Sequence, residues 1–133
     1  MLTIRNEQFA KLSQRFREKF EARLTAHAER FFPKECQAAG PEGLSVLVRS
    51  VIPLGQRYQL EAEKDLVKLL GLMLIFGANF DTDPQLGWLI ERLVDGEVTL
   101  PAARLDRAYA EAIRRVRMER RGREILGKLK HGR

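Results

Sequence analysis

The chain carries one cysteine, Cys36, in 133 residues. No disulfide can therefore form within it, and no cysteine-rich zinc site can be assembled. Histidine is nearly as scarce, with only His27 and His131. Three serines (Ser13, Ser45, Ser50) and two tyrosines complete a thin inventory of nucleophiles and acid–base groups. No nucleophile and base stand at a spacing that states a chemistry. Long apolar runs are missing too. The longest, Leu66–Phe76, spans eleven residues and is interrupted by Lys68, whereas a membrane-spanning helix needs about 20. The opening MLTIRNEQFA lacks the basic head and apolar run of a secretory signal. The expectation is a non-catalytic, cytoplasmic protein with no cofactor, no metal and no membrane span.

What is present is an ordinary globular mixture, 44% hydrophobic and 32% charged, of a length that makes one domain with a core of its own. The charge is segregated. Residues 5–34 carry eight Lys/Arg against four acids, residues 35–100 five against ten, and residues 101–133 eleven against four. A basic, acidic, basic order can fold back on itself or present a basic face to an acidic partner.

Periodicity points to an all-α single-domain bundle of about five helices. At about 100° per residue, Phe9, Leu12, Phe16, Phe20, Leu24, His27 and Phe31 fall on one stripe. This predicts a long N-terminal amphipathic helix from about Arg5 to Phe31, with Thr3 as N-cap and Pro33 as its stop. His27 reads as a core histidine, since no Ser, Cys or second His is placed to make it a dyad. Residues 34–40 read as a connection, with at most a short helical turn around Cys36. Pro41 then suits the first turn of a second helix, whose stripe is Leu44, Leu47, Val48, Val51 and Ile52; Pro53 kinks or ends it, and Gly55 loosens the same spot. Glu63–Phe76 is apolar on every side except at Lys68, the mark of a central buried helix. Gly77 supplies its stop, and Gly71 marks close approach of a neighbouring helix.

In the following loop Asn79, Asp81 and Asp83 alternate like the start of a calcium loop. Pro84 stands where glycine is required and Ile90 where the bidentate glutamate belongs, so the match fails. The loop reads instead as structural. Phe80 and Trp88 anchor it on the core, and Asp83 caps a short helix that starts at Pro84 and ends at Asp95-Gly96. A last helix starts at Pro101 with Ala102, Leu105, Tyr109, Ala112, Ile113 and Val116 on one stripe. Beyond Val116 the pattern changes: Met118, Ile125, Leu126 and Leu129 lie on roughly the opposite side. Seven basic residues face two acids between Arg117 and Arg133. The chain thus divides into a bundle, 1–116, and a basic C-terminal segment, 117–133, that is expected to be only marginally ordered alone. That segment is the candidate binding element. Arg117, Arg120, Arg121 and Arg123 supply attraction to an acidic surface, and Ile125, Leu126 and Leu129 the buried contact, for a protein partner or a second copy.

Three stretches, LTIRNEQF with a long helix ending in FFP, LMLIFGANFDTDPQLGW, and LPAARLDRAY, resemble a family of small all-helical accessory proteins encoded beside the spike and effector genes of bacterial type VI secretion systems. The resemblance covers about residues 2–110; Pro53 departs from the pattern, and residues 117–133 lie outside it. It implies a non-catalytic adaptor, chaperone or accessory factor whose partner is a secretion effector or spike component. An immunity-like inhibitor is the alternative, with the acidic 61–95 region suited to a basic toxin cleft. A pI near 9.9 also raises nucleic-acid binding, but no recognition helix, zinc finger or aromatic stacking motif accompanies it.

Overall fold

A computed structural model describes the backbone of residues 14–131 and the side chains of residues 14–127. Thr3, Phe9 and Leu12 lie outside the described residues, as does the side chain of Leu129. The architecture is all-α, and the described residues contain no β-strand. Five α-helices follow one another: α1 (Gln14–Phe31), α2 (Pro33–Arg57), α3 (Glu63–Phe76), α4 (Gly87–Leu93) and α5 (Pro101–His131).

Helix α1 buries a four-residue ladder, Phe20, Leu24 and Ala28, which continues into Phe32. Because four residues exceed one helical turn, this ridge winds around the helix. It leaves the expected stripe at its end, so His27 is half-buried and Phe31 is 58% exposed. Phe32 belongs to neither helix (φ −134°, ψ 55°). Its N–H nevertheless donates to the Ala28 carbonyl and its own carbonyl accepts from Cys36 N–H, so the two helices meet with no loop between them.

The second helix departs most from the sequence reading. It begins at Pro33, eight residues before Pro41, and the expected connection 34–40 is helical. The bend lies at Gly40, whose φ of 76° and ψ of 167° break the helix for a single residue. Pro41 then opens the second part. Nor does Pro53 end the helix, which runs on to Arg57. A helix-interior proline forfeits one hydrogen bond and crowds the preceding turn. Here its ring stays on the exposed side while Val51, Ile52 and Leu54 are buried, and that packing holds the helix together. Gly55 is a contact and no weak point: a Cβ there would lie 2.6 Å from both the Leu60 carbonyl oxygen and Leu66 Cδ2. Gln59, with φ 60°, turns the chain out of the helix while Leu60 N–H donates back to the Gly55 carbonyl.

Helix α3 is the centre of the molecule. Leu66, Leu69, Leu70, Gly71, Leu72 and Met73 are buried along it, and it packs against α1, α2 and α5. Glu63 and Asp65 stand in its first turn, where they complement the helix dipole. Gly77, at φ 102°, ends it. The close approach at Gly71 is made by a side chain: a Cβ at that position would fall 2.5 Å from Phe32 Cζ. The Phe32 ring therefore lies directly on α3, with Tyr109 of α5 edge-on beyond it at 6.4 Å between centroids.

Two 3₁₀ turns, Phe80–Thr82 and Pro84–Leu86, lead into α4. The Asp95-Gly96 pair closes α4 through a turn in which Asp95 Oδ1 accepts from Glu97 N–H, and no hairpin forms. Helix α5 seats Leu105, Ala108 and Ala112 in the core. No described helix is long and apolar enough to cross a membrane.

Candidate functional site

The loop acids are engaged in structure. Asp81 accepts from the Arg57 guanidinium at 2.8 Å and from the Tyr58 hydroxyl at 3.2 Å. Burial and the adjoining Asp81 carboxylate together push the Tyr58 phenol up to about 12. Asp83 Oδ1 accepts from Gln85 N–H at 2.9 Å, so it caps the 3₁₀ turn that precedes α4. Phe80 is 1% exposed. Trp88 is half-buried, with Phe76 edge-on at 6.0 Å and the Arg115 guanidinium 3.9 Å above its ring. Among the described residues no group of His, Cys, Asp and Glu could hold a metal ion.

Helix α5 continues without interruption to His131, so the segment beyond Val116 neither breaks off nor folds back. The segment is helical where it continues α5: the bundle supplies a formed helix end on which it propagates, and the cost of nucleation falls away. Gly122 does not stop it and has no neighbour within 4 Å. From Ile113 to Gly127 no residue of α5 is buried. Met118, Ile125 and Leu126 are 59%, 54% and 63% exposed.

The four arginines of the segment do not act alike. Arg120 reaches Glu35 at the start of α2 at 3.2 Å, and Arg123 lies 3.5 Å from Glu119 on the same helix. Arg117 and Arg121 are exposed and make no ion pair among the described residues. Just before them, Glu111 accepts from both Arg114 and Arg115, and those two hydrogen bonds hold its carboxyl down at about 2. The structure therefore assembles Met118, Ile125 and Leu126 with Arg117 and Arg121 on a free helix, while Arg120 and Arg123 are already partnered.

Two concavities were not legible as sites in the sequence. One, about 400 Å³, lies between α1, α3 and α5 and is lined by Phe31, Phe32, Val67 and Tyr109. On its charged rim Glu63 pairs with Arg23 and Lys68 with Asp106, and Lys64 is exposed. Asp65, beside that second pair, is buried. Desolvation is the main cause that raises its carboxyl above the ordinary range, with Asp106 adding to it and Lys64 and Lys68 opposing. The other concavity, about 520 Å³, is a half-open groove between α1 and α2. Glu18, Glu21 and Glu29 rise on its α1 side and Leu44 and Val48 lie in its floor. Cys36 also lines it, and its thiol is raised by burial first and then by Glu29 and Glu35. That shift withholds the thiolate on which reactivity depends.

No family model matches the chain, and no curated protein or solved structure shows significant similarity to it.

Proposed function

We propose that the protein is a non-catalytic helical binding protein that docks a protein partner through the part of α5 beyond Val116. The observation that supports this reading is the run of exposed apolar residues Met118, Ile125 and Leu126 beside Arg117 and Arg121, which make no ion pair among the described residues, carried on a helix that extends past the core. Such a helix lays its apolar stripe in a groove of the partner. The arginines steer the encounter toward an acidic surface and give the complex its salt dependence. The resemblance of residues 2–110 to type VI secretion accessory proteins makes the partner a secretion effector or spike component, which the protein serves as adaptor, chaperone or accessory factor.

The test is affinity capture with two baits, the full chain and a form ending at Val116, in cells producing the secretion apparatus. The last core residue of α5 is Ala112, and among the described residues the ion pair to the bundle lost with the tail is the exposed Arg120–Glu35 pair, worth at most about 1 kcal/mol. The shortened bait is therefore expected to keep its circular dichroism and melting temperature. The full chain is expected to recover an effector or spike component and the shortened bait to lose it. Recovery of neither by the full chain, or equal recovery by both baits, would overturn the reading.

A further inference from the structure

The groove between α1 and α2 has a charge and shape that match the free end of α5. At about 100° per residue, Met118, Gly122, Ile125 and Leu126 fall within one arc of about 100° on α5. Arg114, Arg121 and Arg117 follow on one side of that arc, and Glu119 on the other. The groove has the complementary asymmetry. Its floor is apolar, with Leu44 and Val48, and Ala22 lines it on the α1 side. Glu18, Glu21 and Glu29 stand along the α1 wall, spaced over three helical turns, and Arg49 on the α2 wall. The acids are only weakly committed. Glu21 approaches Arg49 at no closer than 4.0 Å, Glu18 accepts a hydrogen bond from Gln14 one turn away, and Glu18 and Glu29 are both exposed.

The tail cannot enter the groove of its own molecule. The last ion pair that α5 makes with another helix among the described residues is Arg120 to Glu35, and the helix continues unbroken to His131. Leu126 lies about 9 Å farther along the axis. We infer that the occupant is α5 of a second copy of this chain: the stripe Met118–Ile125–Leu126 lies on Ala22, Leu44 and Val48, Arg117 and Arg121 face Glu18, Glu21 and Glu29, and Glu119 faces Arg49. Exchange of the two tails about a two-fold axis fills both grooves and closes the assembly as a dimer. This rests on the reading of the α5 extension as a docking element and names its first partner. The secretion partner then competes for a face that the dimer covers.

The experiment is sedimentation equilibrium of the full chain at rising concentration and low salt, with two charge-reversed variants. One carries Arg117→Glu and Arg121→Glu on the tail, the other Glu18→Arg and Glu29→Arg in the groove. The wild type is expected to approach twice its monomer mass, and each variant to stay monomeric while keeping its melting temperature. Mixing a chain that carries all four substitutions with the wild type pairs basic tail with acidic groove only within the wild type, and acidic tail with basic groove only within the variant. No mixed dimer is expected from that mixture. Mixing the tail variant with the groove variant sets a basic tail on an acidic groove and an acidic tail on a basic groove in the same pair, and is expected to restore association as a mixed dimer. As a second measurement, alkylation of Cys36 on the groove floor is expected to slow as wild-type concentration rises. A wild type that remains monomeric, a groove variant that associates like the wild type, or Cys36 alkylation independent of concentration would overturn the inference. The groove variant retains an intact α5 face, so it is expected to go on capturing the secretion partner. Failure of the groove variant to capture the secretion partner, beside wild-type chain that self-associates and a groove variant that stays monomeric, would count against the proposed function alone.

Discussion

Phe32 has the same role at the residue scale that a wedge has in a joint. Its ring is 7% exposed and occupies the space that any side chain at position 71 would need. Alanine in place of glycine raises intrinsic helix propensity by about 1 kcal/mol, but a methyl forced into packed space costs about 1–3 kcal/mol. Gly71→Ala is therefore expected to lower stability in urea denaturation despite the better helix former. Adding Phe32→Leu, which withdraws the end of the ring, should make the double variant less destabilised than the two single effects summed. Tyr58 gives a second residue-scale expectation. Its phenol is raised from 10.0 to about 12 by burial and by Asp81, so the folded chain holds this proton more tightly than the unfolded one. The associated stability is complete below pH 10 and is lost as pH rises through about 12. A stability–pH profile is expected to fall across that window, and Tyr58→Phe to flatten it. A profile unchanged by Tyr58→Phe would show that neither burial nor the Asp81 contact shifts this group.

Among the elements, α3 was legible in full. Its apolar run has no polar face to misplace, and Gly77 is a stop of a kind that leaves few alternatives. Helix α2 was not, because two local rules there yield to packing. Gly40 breaks a helix for one residue only, which looks in the sequence like the end of a connection, and Pro53 sits on the one side of α2 where a ring meets solvent. The same position yields a test. Pro53→Ala restores a backbone donor in an exposed part of the helix, so it is expected to raise the urea midpoint, by about 1–3 kcal/mol of stability. A loss would mean that the ring packs on something that its exposure conceals. On α5 the change of stripe in the sequence coincides with the exposure of Met118, Ile125 and Leu126, but whether the tail is helical depends on Pro101–Val116 being anchored first. The α1–α2 groove was not visible at all, since Glu18, Glu21 and Glu29 look like an ordinary solvated face until Leu44 and Val48 are set beside them.

For the whole molecule, one core joins all five helices, with α3 in the middle and α4 held mainly through α5. Trp88 is placed at the least connected part of that arrangement, between Phe76 of α3 and Arg115 of α5. Its fluorescence therefore reports whether α4 leaves early. Unfolding curves from Trp88 fluorescence and from far-ultraviolet circular dichroism are expected to coincide, as they do for a single cooperative unit. Fluorescence lost at lower denaturant would divide α4 from the remainder. The wedge between Phe32 and Gly71 has a consequence for descent as well. Positions 32 and 71 share one volume, so a lineage that enlarges the second is expected to keep its stability only where the first has been reduced, and the two sites are expected to vary together.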